Sequence, residues 1–194
     1  RRMNLTTTSQ AILLLTSHFS KPSLGDVKPL TNGEWGRFAS WLKSQSATPA
    51  DLLSATASEC LSEWHDAKIT QDRLKSLLNR GHSLALALEK WQRAGLWVMT
   101  RSDSDYPRRL KQQLKAACPP ILFGCGERAL LNQGGLAVVG SRDAAEQDLH
   151  LAQLLGEKAA HEEMAIVSGA ARGIDETAML AAMNSGGKVI GVVA

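Results

Sequence analysis

Apolar positions in the first 95 residues recur at helical spacing, and no stretch alternates strictly between apolar and polar long enough to suggest a strand. Helix-start signatures divide the region. Thr31-Asn32-Gly33-Glu34 places a hydroxyl at an N-cap and a carboxylate three residues on, the pattern of a capping box, and puts Trp35, Phe38, Trp41 and Leu42 on one face. Thr48-Pro49-Ala50-Asp51 sets proline at a first helical position, where its missing N–H costs nothing. Thr70 precedes Leu74, Leu77 and Leu78, and a further helix over residues 84–91 is expected to end at Gly95, which is free to take the left-handed closing conformation. The expected organisation is a small all-α N-terminal domain over residues 1–95.

From Leu96 the pattern changes. Short apolar runs at residues 96–99, 121–123, 136–139, 165–167 and 189–193 alternate with helical stretches at about 105–117, 127–132, 145–162 and 174–184. Strand and helix in alternation predict an α/β fold with a mostly parallel sheet. The last three runs are apolar almost throughout, as expected of strands covered on both faces, so residues 96–194 are read as a Rossmann-like three-layer sandwich. Ala194 directly follows a strand with no covering helix, and the domain is therefore expected to be incomplete at this end.

Composition adds limits. With 44% hydrophobic and 21% charged residues the chain suits a globular core and excludes collagen-like, coiled-coil and disordered classes. Its longest apolar runs, such as residues 11–15, fall far below the ~20 residues that a membrane helix needs. Arg1 and Arg2 precede an apolar segment too short for a secretory signal, and Met3 reads as the natural start. Three cysteines without a CxxC pair predict neither a disulfide framework nor a zinc site, so a reduced, cytoplasmic protein without metal or cofactor is expected. The net charge of +3 permits anionic partners without demanding them. Arg101, Arg108, Arg109, Lys111 and Lys115 form a basic stretch that is either a solvated helix face, the favoured reading, or a phosphate-facing stripe. Trp35, Trp41, Trp64 and Trp91 are expected to pack in a core rather than to stack on bases.

Candidate chemistry lies after the third and fourth apolar runs, because open α/β sheets bind ligands at the carboxyl ends of their strands. Gly140-Ser141-Arg142-Asp143 offers a tight turn, a hydroxyl and a guanidinium that can grip phosphate through paired hydrogen bonds. Ser168-Gly169-Ala170-Ala171-Arg172-Gly173-Ile174-Asp175 sets a second arginine between glycines at a helix start, where free N–H groups also attract anions. Together they outline a phosphate-binding cleft. The alternative is that the arginines form ion pairs with Asp143 or Asp175, and Asp175 is read as a cap or loop organiser rather than a base. Other patterns carry less. Gly124-Cys125-Gly126-Glu127-Arg128-Ala129 formally fits a relaxed dinucleotide fingerprint but lies outside the main strand-helix-strand unit. GxSxG is absent, and His161-Glu162-Glu163 lacks the second histidine of a zinc-binding helix, so no catalytic residue is expected.

Four segments carry a family resemblance: Tyr106-Pro107 before the basic helix, Pro119-Pro120-Ile121-Leu122, Val139-Gly140-Ser141-Arg142, and the stretch from Ser168 to Asp175. The region from about Leu96 onward resembles the DprA (Smf) family of DNA-processing proteins. That resemblance implies a Rossmann-like domain that binds single-stranded DNA, assists loading of the RecA recombinase in recombination and natural transformation, acts as a homodimer and turns over no substrate. Carried onto this sequence, Arg142 contacts the DNA backbone, Gly140 and Ser141 shape its loop, and Ser168, Gly169, Arg172 and Gly173 form the facing wall. Two positions depart from the family pattern. Gln147-Asp148 stands where a tyrosine-glycine pair is usual, and Ala178-Met179 where alanine-histidine is usual. Asp143, Glu146 and Asp148 also place acids near the proposed phosphate site, where they oppose a polyanion. A competing reading is a nucleotide-binding sensor or nucleotide-processing enzyme on the same fold, although the PGGxGTxxE signature of the phosphoribohydrolase branch is absent. A third is a protein-interaction module built on the helical half.

Overall fold

The computed structural model describes residues 5–21, 23 and 25–193. Arg1, Arg2, Met3 and Ala194, on which the expectations about the chain's start and end rest, lie outside the described residues. Contacts divide the chain into two compact units, Arg1–Gly126 and Glu127–Ala194. The division falls beyond the change of texture at residue 95, because the first two strands pair with each other inside the helical unit.

The first unit opens with helix α1 (Thr7–Thr16), which the Thr6 hydroxyl caps by accepting from Ser9 N. Helix α2 (Asn32–Ser44) starts with the expected capping box: Thr31 Oγ1 accepts from Glu34 N at 3.3 Å, and Glu34 Oε2 accepts from Thr31 N at 2.9 Å. A 3-10 turn over Pro49–Leu53 takes the place of a full helix after Thr48. Helices α3 (Ala57–Ser62), α4 (Gln71–Leu78), capped by Thr70, and α5 (Gly81–Arg93) complete the bundle, and Gly95 follows with a φ of +71°. One core gathers Ile12, Leu15, Trp35, Phe38, Leu42, Trp64, Leu74 and Leu77. Phe38 meets Trp64 edge-on at 5.1 Å and stacks with Trp41 at 5.8 Å, and Trp64 Nε1 donates to Ile69 O at 2.6 Å. Trp35 and Trp64 are thus core residues, as the helical spacing predicted.

Strand β1 (Trp97–Thr100) and strand β2 (Ile121–Gly124) form an antiparallel pair of their own, which corrects the expectation that both belong to the parallel sheet. Helix α6 (Arg108–Leu114) between them buries no residue, so it cannot serve as the covering crossover that a parallel pair requires. Tyr106 explains much of the surrounding sequence. Its ring is fully buried, and its hydroxyl donates to Pro119 O at 2.7 Å, fastening the start of α6 to the approach of β2. The basic stretch around α6 is largely exposed, with Lys111 Nζ lying 5.1 Å from the Tyr106 ring centre.

The second unit is an α/β sheet. Strands β3 (Leu136–Ala137), β4 (Ile166–Ser168) and β5 (Val189–Gly191) lie parallel in chain order, joined by helices α7 (Glu146–His161) and α8 (Ile174–Asn184). The stretch at 127–132 is a 3-10 turn over Arg128–Asn132. Val138, Ile166, Ala152, Ala159, Ala178 and Ala182 form the core. Both helices lie on one face, since successive crossovers of one hand without a reversal of strand order stay on one side. They approach closely enough that a Cβ on Gly156 would meet Ala178 O at 2.3 Å. The described residues therefore supply two layers of the sandwich; the second helical layer is not among them, and Val139 and Val192 are 78% and 65% exposed.

Candidate functional site

The loops after β3 and β4 touch. Gly140 packs where any Cβ would lie 2.6 Å from the side chain of Ile174, and Ile174 N donates to Ser141 O at 3.3 Å. Gly173 has a φ of +92°, and a Cβ there would stand 2.3 Å from Ser141 O and 2.9 Å from Arg142 O. Glycine at both positions lets one loop close onto the other. The sequence-predicted residues therefore come together on two interlocked loops that form one ridge.

Their side chains divide into two groups. Arg142 is exposed and has no hydrogen bond or ion pair among the described residues. Arg172, whose side chain is 74% exposed, reaches across to Asp143, with Nη2 2.5 Å from Oδ1. Of the two acids the sequence offered as ion-pair partners, Arg172 meets Asp143. Ser141 is also exposed, and its hydroxyl accepts from Asp143 N at 3.1 Å, holding the acid in a tight turn. Ser168, by contrast, is 3% exposed and donates to Val138 O at 2.7 Å, which ties β4 to the end of β3. It faces no solvent, and this hydrogen bond gives it an ordering role between the two strands. Gly169 turns its amide towards the Asp175 carboxylate.

Asp175, in the first turn of α8, organises both loops. Its Oδ1 accepts from Gly140 N at 3.0 Å and its Oδ2 from Gly169 N at 3.2 Å. Burial raises the pKa of this carboxyl, but hydrogen bonds from Ser168, Gly140, Gly169 and Ala171 outweigh burial and hold it below the usual carboxylate range. Because the single Ser168 proton goes to Val138 O, the backbone amides carry most of that effect. Asp175 is consequently an organiser of the loops and is ionised at neutral pH. Glu146 and Asp148 sit in the first turn of α7, where they complement the helix dipole.

No group of three or more His, Cys, Asp or Glu side chains able to hold a metal ion occurs among the described residues. The glycines of the 124–129 segment serve β2: the Trp97 ring fills the place of a Gly124 Cβ, and a 3-10 turn follows instead of the α-helix that a dinucleotide site needs. Sequence reasoning missed the contact between the loops. Its only trace was glycine at positions 140 and 173, and that signal fits any tight turn equally well.

Comparison with known proteins bears on the same region. A family model described as DNA recombination-mediator protein A matches residues 97–194, half of the chain. The curated DNA processing protein DprA of Streptococcus pneumoniae is 38% identical over 91 residues, covering 47% of this chain and 31% of that protein. DprA of Bacillus subtilis is 27% identical over 133 residues, covering 65% and 44% respectively. The chain thus spans less than half the length of these two relatives. The X-ray structure of DNA processing protein A from Streptococcus pneumoniae superposes with a TM-score of 0.63 at 22% identity, covering 98% of this chain and 58% of that one, a likeness of fold. A helical region followed by a Rossmann-like α/β region, a matching family model and relatives that share the same segment lead to one assignment: the chain belongs to the DNA recombination-mediator protein A family.

Proposed function

We propose that this chain binds single-stranded DNA through its sugar-phosphate backbone, on the ridge formed by the loops after β3 and β4. The observation that carries the reading is the exposure of the Arg142 and Arg172 guanidiniums on two loops locked to each other. Guanidinium forks match phosphate geometry, and two of them on a fixed base contact successive phosphates without reading sequence. Gly140, Ser141, Gly169 and Gly173 shape the ridge, and Ser168 supports it from beneath. The resemblance to DprA proteins extends the proposal: a non-enzymatic, homodimeric, cytoplasmic protein that hands single strands to the RecA recombinase during recombination and natural transformation. Asp143 modulates the site, since phosphate must displace it from Arg172.

The mononucleotide reading has less support, because the Gly140 and Gly169 amides that a small phosphate would use at the strand ends already bond to Asp175. The test is fluorescence anisotropy of a labelled oligothymidylate against the chain, Arg142→Glu and Arg172→Glu at several salt concentrations, with duplex DNA as competitor. Each phosphate contact contributes about −0.7 to the slope of log affinity against log salt for single strands. Arg142→Glu is expected to weaken binding at least tenfold, roughly the scale of one charge-assisted hydrogen bond, and to flatten the slope by about one contact. Affinity unchanged in both arginine variants, or duplex DNA competing as well as single strands, overturns the proposal.

A further inference from the structure

Phosphates at strand ends of open α/β sheets are commonly held by loop amides and by the first turn of the next helix. The corresponding amides here converge on a side chain. Gly140 N, from the loop after β3, donates to Asp175 Oδ1 at 3.0 Å, and Gly169 N, from the loop after β4, donates to Asp175 Oδ2 at 3.2 Å. Asp175 is 5% exposed, and nothing larger than hydrogen fits on Gly169 without approaching Oδ2 to 3.2 Å. One buried carboxylate thus presents two oxygens and a negative charge to donors from two different strands, in the place where such folds offer donors to an anion.

We propose that Asp175 is a resident anion: it fills the amide cradle at the strand ends, fixes the two loops that carry Arg142 and Arg172, and excludes the phosphate monoester of a mononucleotide from that cradle. The exclusion follows from electrostatics as much as from volume. A phosphate entering the cradle would have to displace a buried charge that accepts from both loops, and would meet like charge while doing so. Phosphodiesters lie instead on the exposed guanidiniums above. Asp175 is therefore a positioning and specificity-determining residue, and for the role of the arginines this inference rests on the proposed function.

The test separates the two claims. Thermal unfolding of the full chain and of Asp175→Ala is followed with millimolar inorganic phosphate or adenosine monophosphate at constant ionic strength. The wild-type midpoint should not move. Asp175→Ala should unfold at lower temperature and regain several degrees, saturably, as phosphate occupies the vacated cradle. Asp175→Asn keeps the volume but not the charge; it should lose stability without phosphate rescue, and its oligothymidylate affinity should fall several-fold although a negative charge has been removed. Saturable stabilisation of the wild type by either ligand overturns the inference, and this arm stands even where Asp175→Ala does not fold. So does a folded Asp175→Ala that ignores phosphate, equal rescue of Asp175→Asn, or a rise in the oligonucleotide affinity of Asp175→Asn. The phosphate arms do not depend on DNA binding, so a failure of the DNA-binding proposal would show only in the arginine titration.

Discussion

Gly173 carries the tightest constraint on any single residue of the ridge. Its φ of +92° lies where L side chains are strained, and a Cβ would overlap the Ser141 carbonyl at 2.3 Å. Gly173→Ala should lower stability by at least about 2 kcal/mol, read as a shift of the urea midpoint, and should weaken oligonucleotide binding by separating the loops. Glu34 sets a second expectation, for pH. Arg73 forms two hydrogen bonds with its carboxylate and, with the Thr31 amide, holds its pKa at about 2 instead of 4.5. The folded-state pKa is depressed, so this stabilisation is full above the unfolded value and is lost as pH falls from about 4.5 towards 2. With both side chains mostly buried, the pair contributes on the order of 2 to 3 kcal/mol at neutral pH. Urea unfolding of wild type and Glu34→Gln should differ by that amount at pH 7 and converge near pH 2; a gap independent of pH would contradict the assignment. The sequence made legible the placement of Arg142 and Arg172 on the loops after β3 and β4 and the organising role of Asp175, because residue type and position after a strand suffice for those. Burial of Ser168 was not legible, since a serine after a strand has the same pattern whether its hydroxyl faces solvent or, as here, a neighbouring carbonyl.

Among the elements, α7 and α8 depend on small residues. Gly156 lies where a Cβ would meet Ala178 O at 2.3 Å and the Ala181 Cβ at 2.9 Å. Gly156→Ala raises intrinsic helix propensity by up to about 1 kcal/mol, yet over-packing of a closed interface costs about 1 to 3 kcal/mol. The net expectation is destabilisation with helical content retained, checked by far-UV circular dichroism and urea unfolding; a stabilised variant would show that the helices can separate freely. Helix starts at Thr31 and Thr70 and the span 174–184 were readable because caps and periodicity act locally. Strand partners were not. The apolar runs at β1 and β2 look like those of β4 and β5, and only the shallow helix between them, which buries nothing, marks an antiparallel pair.

At the scale of the molecule, a net charge of +3 over 194 residues gives little long-range attraction for a polyanion. On the proposed reading, affinity comes from local contacts on the second unit, while the first unit has its own aromatic and aliphatic core. Composition and the change of texture near residue 95 revealed a helical part and an α/β part, but the division after Gly126 depends on which strands pair, and that is a long-range property. This separation yields a test of where binding resides. Leu74 is fully buried in the first core, and Leu74→Ala should cost about 2 to 5 kcal/mol of that unit's stability. Measured well below the unfolding transition, its oligothymidylate affinity and salt slope should match those of the wild type, whereas Arg142→Glu should change both without moving the unfolding midpoint. Equal loss of DNA affinity in a folded Leu74→Ala would move the binding surface onto the helical unit, and with it the basic stretch around α6 would replace the ridge as the phosphate contact.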